Sequence, residues 1–270
     1  SEAPLVQIRD QSGEYNTIQE RYGKEYFVPK SPEDGTVTEV TKDYIKVNNT
    51  KVEIYNNFPL NLKTFLTMYP LVKVGDKVKK GQVLADSNFT KGGELALGTN
   101  LNVAYIPYKG YTHEDSIVIS ESTAKKLTSQ HMYTCEFETD VDTLVDKGAF
   151  IKWFPTKITP ANIAKLSDDG VIKKDSKVIR GDVLIAGMRY KTLTSSDNML
   201  RRLRGNLVNP YKDASEKWEH DAEGTVVEVV RKGKLIRVVV VTEDSAKRGD
   251  KISGFTREGT DAGFNIASTG

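Results

Sequence analysis

A single cysteine, Cys135, is the only thiol among the 270 residues. That count excludes an internal disulfide framework and any four-cysteine metal site, and it suits a reducing compartment. No apolar run approaches the roughly 20 residues that span a bilayer. The N-terminus lacks the basic, apolar and cleavage regions of a signal peptide. The expectation is a soluble, intracellular protein with no membrane contact. A charge excess is missing as well, since 39 Lys and Arg face 37 Asp and Glu, for a formal charge of +2. Non-specific nucleic-acid binders usually carry a marked basic excess. Any contact with nucleic acid must therefore come from a local patch.

What is present reads mostly as strands, in a chain long enough for two or three compact units. Residues 35–55 alternate apolar and polar positions around an Asn48-Asn49 turn signal. Residues 71–86 place two short strands around Gly-Asp and Lys-Gly turns, and 101–107 and 116–120 are apolar runs of strand length. Residues 224–230 and 235–242 flank Arg-Lys-Gly-Lys, which predicts a hairpin with a very short tip. Helical signals are fewer. They are a capping serine at 120 before residues 121–127, a proline just inside the 159–166 segment, and a short run at 197–204.

One pattern occurs twice. Residues 71–86 contain VGDKVKKGQVLAD and residues 171–187 contain VIKKDSKVIRGDVLIAG, and each copy accompanies a Gly-Thr-Val strand, at 35–37 and at 224–226. Each copy reads as a strand, a tight turn and a returning strand that buries alternate side chains. The pattern resembles the barrel-sandwich hybrid fold of biotinyl and lipoyl carrier domains; two unrelated hairpins are the plainer alternative. Carrier function would need a modified lysine at an exposed hairpin tip. Lys91, in the Gly-rich loop after the first copy, lacks the usual neighbours.

The chemistry is concentrated in residues 93–121, GELALGTNLNVAYIPYKGYTHEDSIVISE. Adjacent carboxylates at Glu114 and Asp115 enter an apolar strand after a turn at Tyr108–Gly110. Two neighbouring acids repel one another unless solvated, paired or near a cation. Taken alone, such a pair is a solvated acidic turn. The surroundings decide otherwise. Gly93 to Asn100, followed by Gly110-Tyr111-Thr112-His113-Glu114-Asp115-Ser116, closely resembles the signature of the β subunit of multisubunit DNA-directed RNA polymerases. Glu2–Val6, Leu200–Gly205, Lys212–Ser215, Gly224–Val226 and Gly249-Asp250-Lys251 follow the order of the same family.

The resemblance implies a mainly β fold with short helices, in which double-psi β-barrel segments combine with barrel-sandwich-hybrid (flap) modules. It divides the chain into a connecting segment at 1–28 and a sandwich-hybrid module at 29–92. The first barrel segment with the Glu-Asp motif then covers 93–133. A flap-like insertion with the second sandwich hybrid follows at 134–236, then a barrel return strand at 237–255 and a divergent tail at 256–270. The implied function is nucleotidyl transfer to the RNA 3′ end by the catalytic core of a DNA-directed RNA polymerase, of which this fragment is inactive alone. In such chemistry two Mg²⁺ ions stabilise attacking and leaving oxygens. The resemblance puts the main metal ligands on a β′-type partner, with Glu114 and Asp115 near the second Mg²⁺, acting through water. Lys251 would face the RNA 3′ end or phosphates; an exposed turn lysine is the alternative. Implied partners are the β′-type subunit, other β fragments, assembly subunits, DNA template, RNA product and NTPs, in the cytoplasm or, for a phage-encoded chain, the host cytoplasm or virion.

Three features depart from the family. The hairpin tip is too short for the usual flap helix, which removes the conventional contact with promoter-specificity factors. Gly259 stands where a second active-site lysine is expected, and Arg257 is the nearby cation that could replace it in binding nucleic acid. The chain also holds only the centre of a much longer subunit, as in the split subunits of giant-phage polymerases, an engineered truncation or a degenerate relative. The competing class of function is a non-catalytic β mimic that binds a polymerase and inhibits or scaffolds it. His113 reads as structural or merely exposed, Tyr105, Tyr108 and Tyr111 as packing residues, and Arg201, Arg202 and Arg204 as a nucleic-acid or subunit contact or a solvated helix face.

Overall fold

The computed structural model describes residues 1–192 and 209–254, together with the backbone of residue 255 and of residues 261–266. It is mainly β, with a few short helices. The chain forms two compact units, one from Ser1–Ser129 with Ser245–Gly270 and the other from Gln130–Asp244.

In the first unit, strands Gly35–Val40, Tyr44–Val47 and Thr50–Glu53 form an antiparallel meander, and Lys77–Val78 lies on the outer side of the first strand. The alternation seen in the sequence sets which face is inside: Val37, Ile45 and Val47 are buried and pack with Leu66, Val78 and Leu84. The second and third strands are joined through Asn48-Asn49, with Val47 opposite Thr50. Asn48 takes φ 51°, a left-handed conformation that asparagine tolerates. Its side-chain oxygen also accepts from the Thr36 N–H at 3.0 Å.

The second unit is built on the long hairpin Gly224–Lys232 and Leu235–Asp244. Lys232 pairs with Leu235, so the tip is only Gly233-Lys234, and Gly233 supplies the positive φ (61°) that such two-residue turns need. The ladder carries the second strand past residue 237 to Thr242, and the strand itself ends at Asp244. Strand Ser129–Glu138 forms one edge of this sheet and Lys177–Val178 the other. The helix Lys147–Trp153, not expected from the sequence, starts where the Asp146 carboxylate accepts from the Ala149 N–H at 2.6 Å. It drives Phe150 into a cluster with Leu166, Leu184, Ile185, Val226 and Val240. Phe150 is fully buried, and truncation to alanine would cost about 3–5 kcal/mol.

The repeated pattern folds the same way in both units: residues 100 positions apart in the 71–86 and 171–187 copies play equal parts, and the Gly-Thr-Val strands at 35–37 and 224–226 pair with them alike. Gly35 pairs with Val78 and Thr36 with Lys77; Gly224 pairs with Val178 and Thr225 with Lys177. Val37 donates to the Asp76 carbonyl at 2.9 Å, as Val226 does to Ser176. Gln82 and Asp182 donate to Lys79 and Ile179, both at 3.0 Å, and Gly81 and Gly181 both take positive φ (80° and 92°). Two unrelated hairpins would not share this set of bonds.

Two expected helices are present, at Glu121–Lys126 with Ser120 as cap and at Pro160–Lys165 with Thr159 as cap. The run at 197–204, including Arg201, Arg202 and Arg204, lies outside the described residues. One expectation needs correcting. Residues 101–107 are no strand. They form no ladder with any described segment, so Val103 (70 % exposed), Tyr105 (81 %) and Ile106 (56 %) stand in solvent rather than in a core. For the same reason Tyr105 and Tyr108 are exposed rather than packed.

Candidate functional site

The acidic motif and the basic motif of the first unit meet in one small sheet. Strand Ser116–Ile117 runs parallel to Asp261–Ile266, which is antiparallel to Lys251–Phe255. In register, Ser116 lies opposite Asn265, and Asn265 lies opposite Lys251. Two strand spacings therefore separate the backbone at Ser116 from that at Lys251, about 10 Å. Residues 135 positions apart in the sequence are thus held level with one another. Strand Asp261–Ile266, which bridges them, lies in the stretch read from the sequence as a tail.

Glu114 and Asp115 enter this sheet through a turn. The Ser116 N–H donates to the His113 carbonyl at 3.1 Å, and Glu114 takes φ 56°. A left-handed backbone is uncommon for a glutamate and costs on the order of 1–3 kcal/mol, a cost that tends to be kept at functional positions. Both acids are exposed. The His113 ring lies 3.7 Å from the Glu114 carboxylate, with both side chains in solvent. Lys251 is exposed as the first residue of its strand. The loop before it is closed by Asp250, whose carboxylate accepts from the Lys247 N–H at 2.7 Å. The Ala246 N–H donates to the Ala124 carbonyl at 3.2 Å, which ties that loop to the Glu121–Lys126 helix.

A positioning contact was missed from the sequence. The Glu2 N–H donates to Gly98, the Glu2 carboxylate accepts from the Asn100 N–H at 2.9 Å, and the Asn100 amide donates to the Ala3 carbonyl at 2.8 Å. The bond from Asn100, joined by Thr99, holds the Glu2 carboxyl below its ordinary range against the upward push of burial. The N-terminal segment is thereby fastened to the loop that leads to the acidic turn. Its only sequence signal was the place of Glu2–Val6 in the family order.

Among the described residues, no three or more His, Cys, Asp or Glu side chains converge as a metal cage. Two adjacent exposed carboxylates still fit contact with a Mg²⁺ ion that keeps most of its waters. Arg257 and Gly259 lie outside the described residues.

Residues 23–259 match the family model of RNA polymerase Rpb2, domain 6. The DNA-directed RNA polymerase subunit beta of Treponema pallidum is 31 % identical over 252 residues, 83 % of this chain and 21 % of that protein. The subunit of the same name from Rubrobacter xylanophilus is 35 % identical over 211 residues, 72 % of this chain and 18 % of that protein. For the subunit from Streptomyces avermitilis the figures are 30 % over 248 residues, 84 % and 21 %. The chain thus spans about a fifth of the length of these relatives. With the model covering most of its residues, this chain belongs to the RNA polymerase Rpb2 domain 6 family and corresponds to a central segment of the polymerase β subunit.

Proposed function

We propose that this chain supplies the β side of the catalytic centre of a DNA-directed RNA polymerase, working with a β′-type subunit. The observation that carries the reading is the register of the three-stranded sheet, which holds the Glu114-Asp115 turn level with Lys251. In that role Lys251 offsets negative charge at the RNA 3′ end or on nucleotide phosphates, as a cation does where charge develops. Glu114 and Asp115 accept hydrogen bonds from waters around a second Mg²⁺ whose principal ligands belong to the partner. Such an ion stabilises attacking and leaving oxygens in nucleotidyl transfer. Arg257 is the cation nearest the position where the family carries a second lysine, and its proposed part is to hold nucleic acid. The first unit is read as a sandwich-hybrid module at 29–92 with double-psi barrel segments, and the second as a flap-like insertion carrying the second sandwich hybrid. Template DNA, RNA product, NTPs and further polymerase subunits are the partners, and the cytoplasm is the site of action.

The absence of the second lysine, with Gly259 at its place, favours one other reading, a non-catalytic β mimic that inhibits or scaffolds a polymerase. One experiment separates the two. RNA synthesis is measured in a complex reconstituted with the remaining subunits, using the unmodified chain, Asp115→Ala and Lys251→Ala, with assembly followed by co-purification. Catalysis predicts that each variant assembles and loses about 100-fold in synthesis. Unchanged synthesis by both variants would remove these residues from the chemistry. Synthesis that falls as the unmodified chain is added would identify a mimic.

A further inference from the structure

Among the described residues, strand pairing holds the acidic turn from one side. After it, Ser116–Ile117 is bonded to Asp261–Ile266, whereas residues 101–107 before it form no ladder with any described segment. Upstream, the chain is tied down at Asn100 by the Glu2 clamp. Between these points it folds back twice. The Tyr111 N–H donates to the Tyr108 carbonyl at 2.9 Å, with Lys109 and Gly110 both left-handed (φ 48° and 76°), the geometry of a tight two-residue turn. The second turn is His113–Ser116, which carries both acids. Thr112 is the single residue between the two turns.

The half-buried Thr112 side chain reaches back over the first turn. Its hydroxyl accepts from the Tyr108 N–H at 3.1 Å and donates to the Ile106 carbonyl at 3.0 Å. A hydroxyl can do both at once, and valine, its match in shape, can do neither. The two bonds lock residue 112 to the incoming leg of the loop, and the next residue begins the acidic turn. Glu114 and Asp115 are exposed, so the backbone that carries them sets their place more than packing does. That place matters, because a shift of about 1 Å at a reacting centre can cost on the order of 100-fold in rate. Ile106 and Tyr108 are themselves exposed (56 % and 39 %) and belong to neither hydrophobic core. Removing the hydroxyl should therefore loosen the loop and leave the unit folded.

We propose that Thr112 is a positioning residue: its hydroxyl clamps the loop and so sets where the Glu114-Asp115 pair stands, a role that rests on the catalytic reading of those acids. The test uses the polymerase reconstituted with the remaining subunits, carrying the unmodified chain, Thr112→Val, Thr112→Ser or Asp115→Ala, with assembly followed by co-purification. Thr112→Val is expected to assemble and to make RNA about ten-fold more slowly at saturating nucleotides. Thr112→Ser, which keeps the hydroxyl, should restore the rate. Hydrogen exchange reads the clamp without reference to activity. The Tyr108 amide should exchange about ten-fold faster in the Thr112→Val chain and at the unmodified rate in Thr112→Ser. Added to Asp115→Ala, Thr112→Val should cost well under ten-fold, because its effect passes through the acidic pair. A full further loss there, equal losses in Thr112→Val and Thr112→Ser, unchanged exchange at Tyr108, or failure of Thr112→Val to assemble would overturn the proposal. Full synthesis by Thr112→Val beside an impaired Asp115→Ala would overturn it while the catalytic reading stands. Full synthesis by Asp115→Ala would remove the catalytic reading, and this role with it.

Discussion

Cys135 shows how far one residue's behaviour departs from its type. Its thiol is half-buried against the core of the second unit, with Sγ 3.7 Å from a Glu216 carboxylate oxygen. Burial first, then the neighbouring Glu216, pushes its pKa up to about 12. The nucleophile is the thiolate, so little of it exists at pH 8. Labelling by a thiol-exchange reagent at pH 8 should therefore run at least about ten-fold slower in the folded chain than in urea. Because Cys135 is the only thiol, the reading is unambiguous. Glu216→Gln should recover part of the rate, since burial remains. The stability sign follows from linkage: the folded state holds this proton more tightly, so the contribution is present below the ordinary thiol value of 9.0. It is lost as the pH rises from there through about 12. Equal labelling rates in the two states would contradict this placement. From the sequence, Cys135 could exclude a disulfide framework, but its environment depends on Glu216, 81 positions away.

Elements were more legible than residues, and the reason is their locality. The hairpin at 224–244 could be read because alternation and a glycine tip lie within a few residues of each other. The caps at Ser120 and Thr159 were legible in the same way. The 101–107 run misled because strand composition says nothing about whether a partner strand lies beside it. The resemblance set 93–133 and 237–255 in one barrel, but the Asp261–Ile266 strand that lies between Ser116 and Lys251 could not be read, since it pairs with segments on both sides that no local pattern links. At this scale the repeat makes a sharp prediction. A Cβ at Gly81 or Gly181 would meet nothing within 4 Å, so alanine there incurs only the left-handed backbone cost. Gly81→Ala and Gly181→Ala should each destabilise their own unit by about 1 kcal/mol, and by similar amounts. Trp153 and Trp218, the only tryptophans, lie in the second unit, so their fluorescence reports Gly181→Ala during urea unfolding. Hydrogen exchange in the 35–47 meander reports Gly81→Ala. A marked difference between the two costs would show that the copies share a shape without sharing a turn.

For the molecule as a whole, the question is whether residues from opposite ends of the first unit act as one site. The Glu114-Asp115 turn comes from before the second unit and Lys251 from after it. Sheet register brings their backbones level, while the hydrophobic cores of the two units share no buried member. Residues that serve one reacting centre have strongly non-additive effects, because the first loss removes most of what the second could add. A double-mutant cycle in the reconstituted polymerase should show this. If Asp115→Asn and Lys251→Gln each reduce synthesis about 100-fold, the double variant should fall well short of the product of the two losses. Salt offers a second check, since an exposed lysine acting on phosphates weakens as ionic strength rises. The Lys251→Gln complex should therefore respond less to added salt than the unmodified one. Fully multiplicative losses, with equal salt responses, would mean that the sheet aligns two independent features. The acidic turn and the lysine would then need separate explanations.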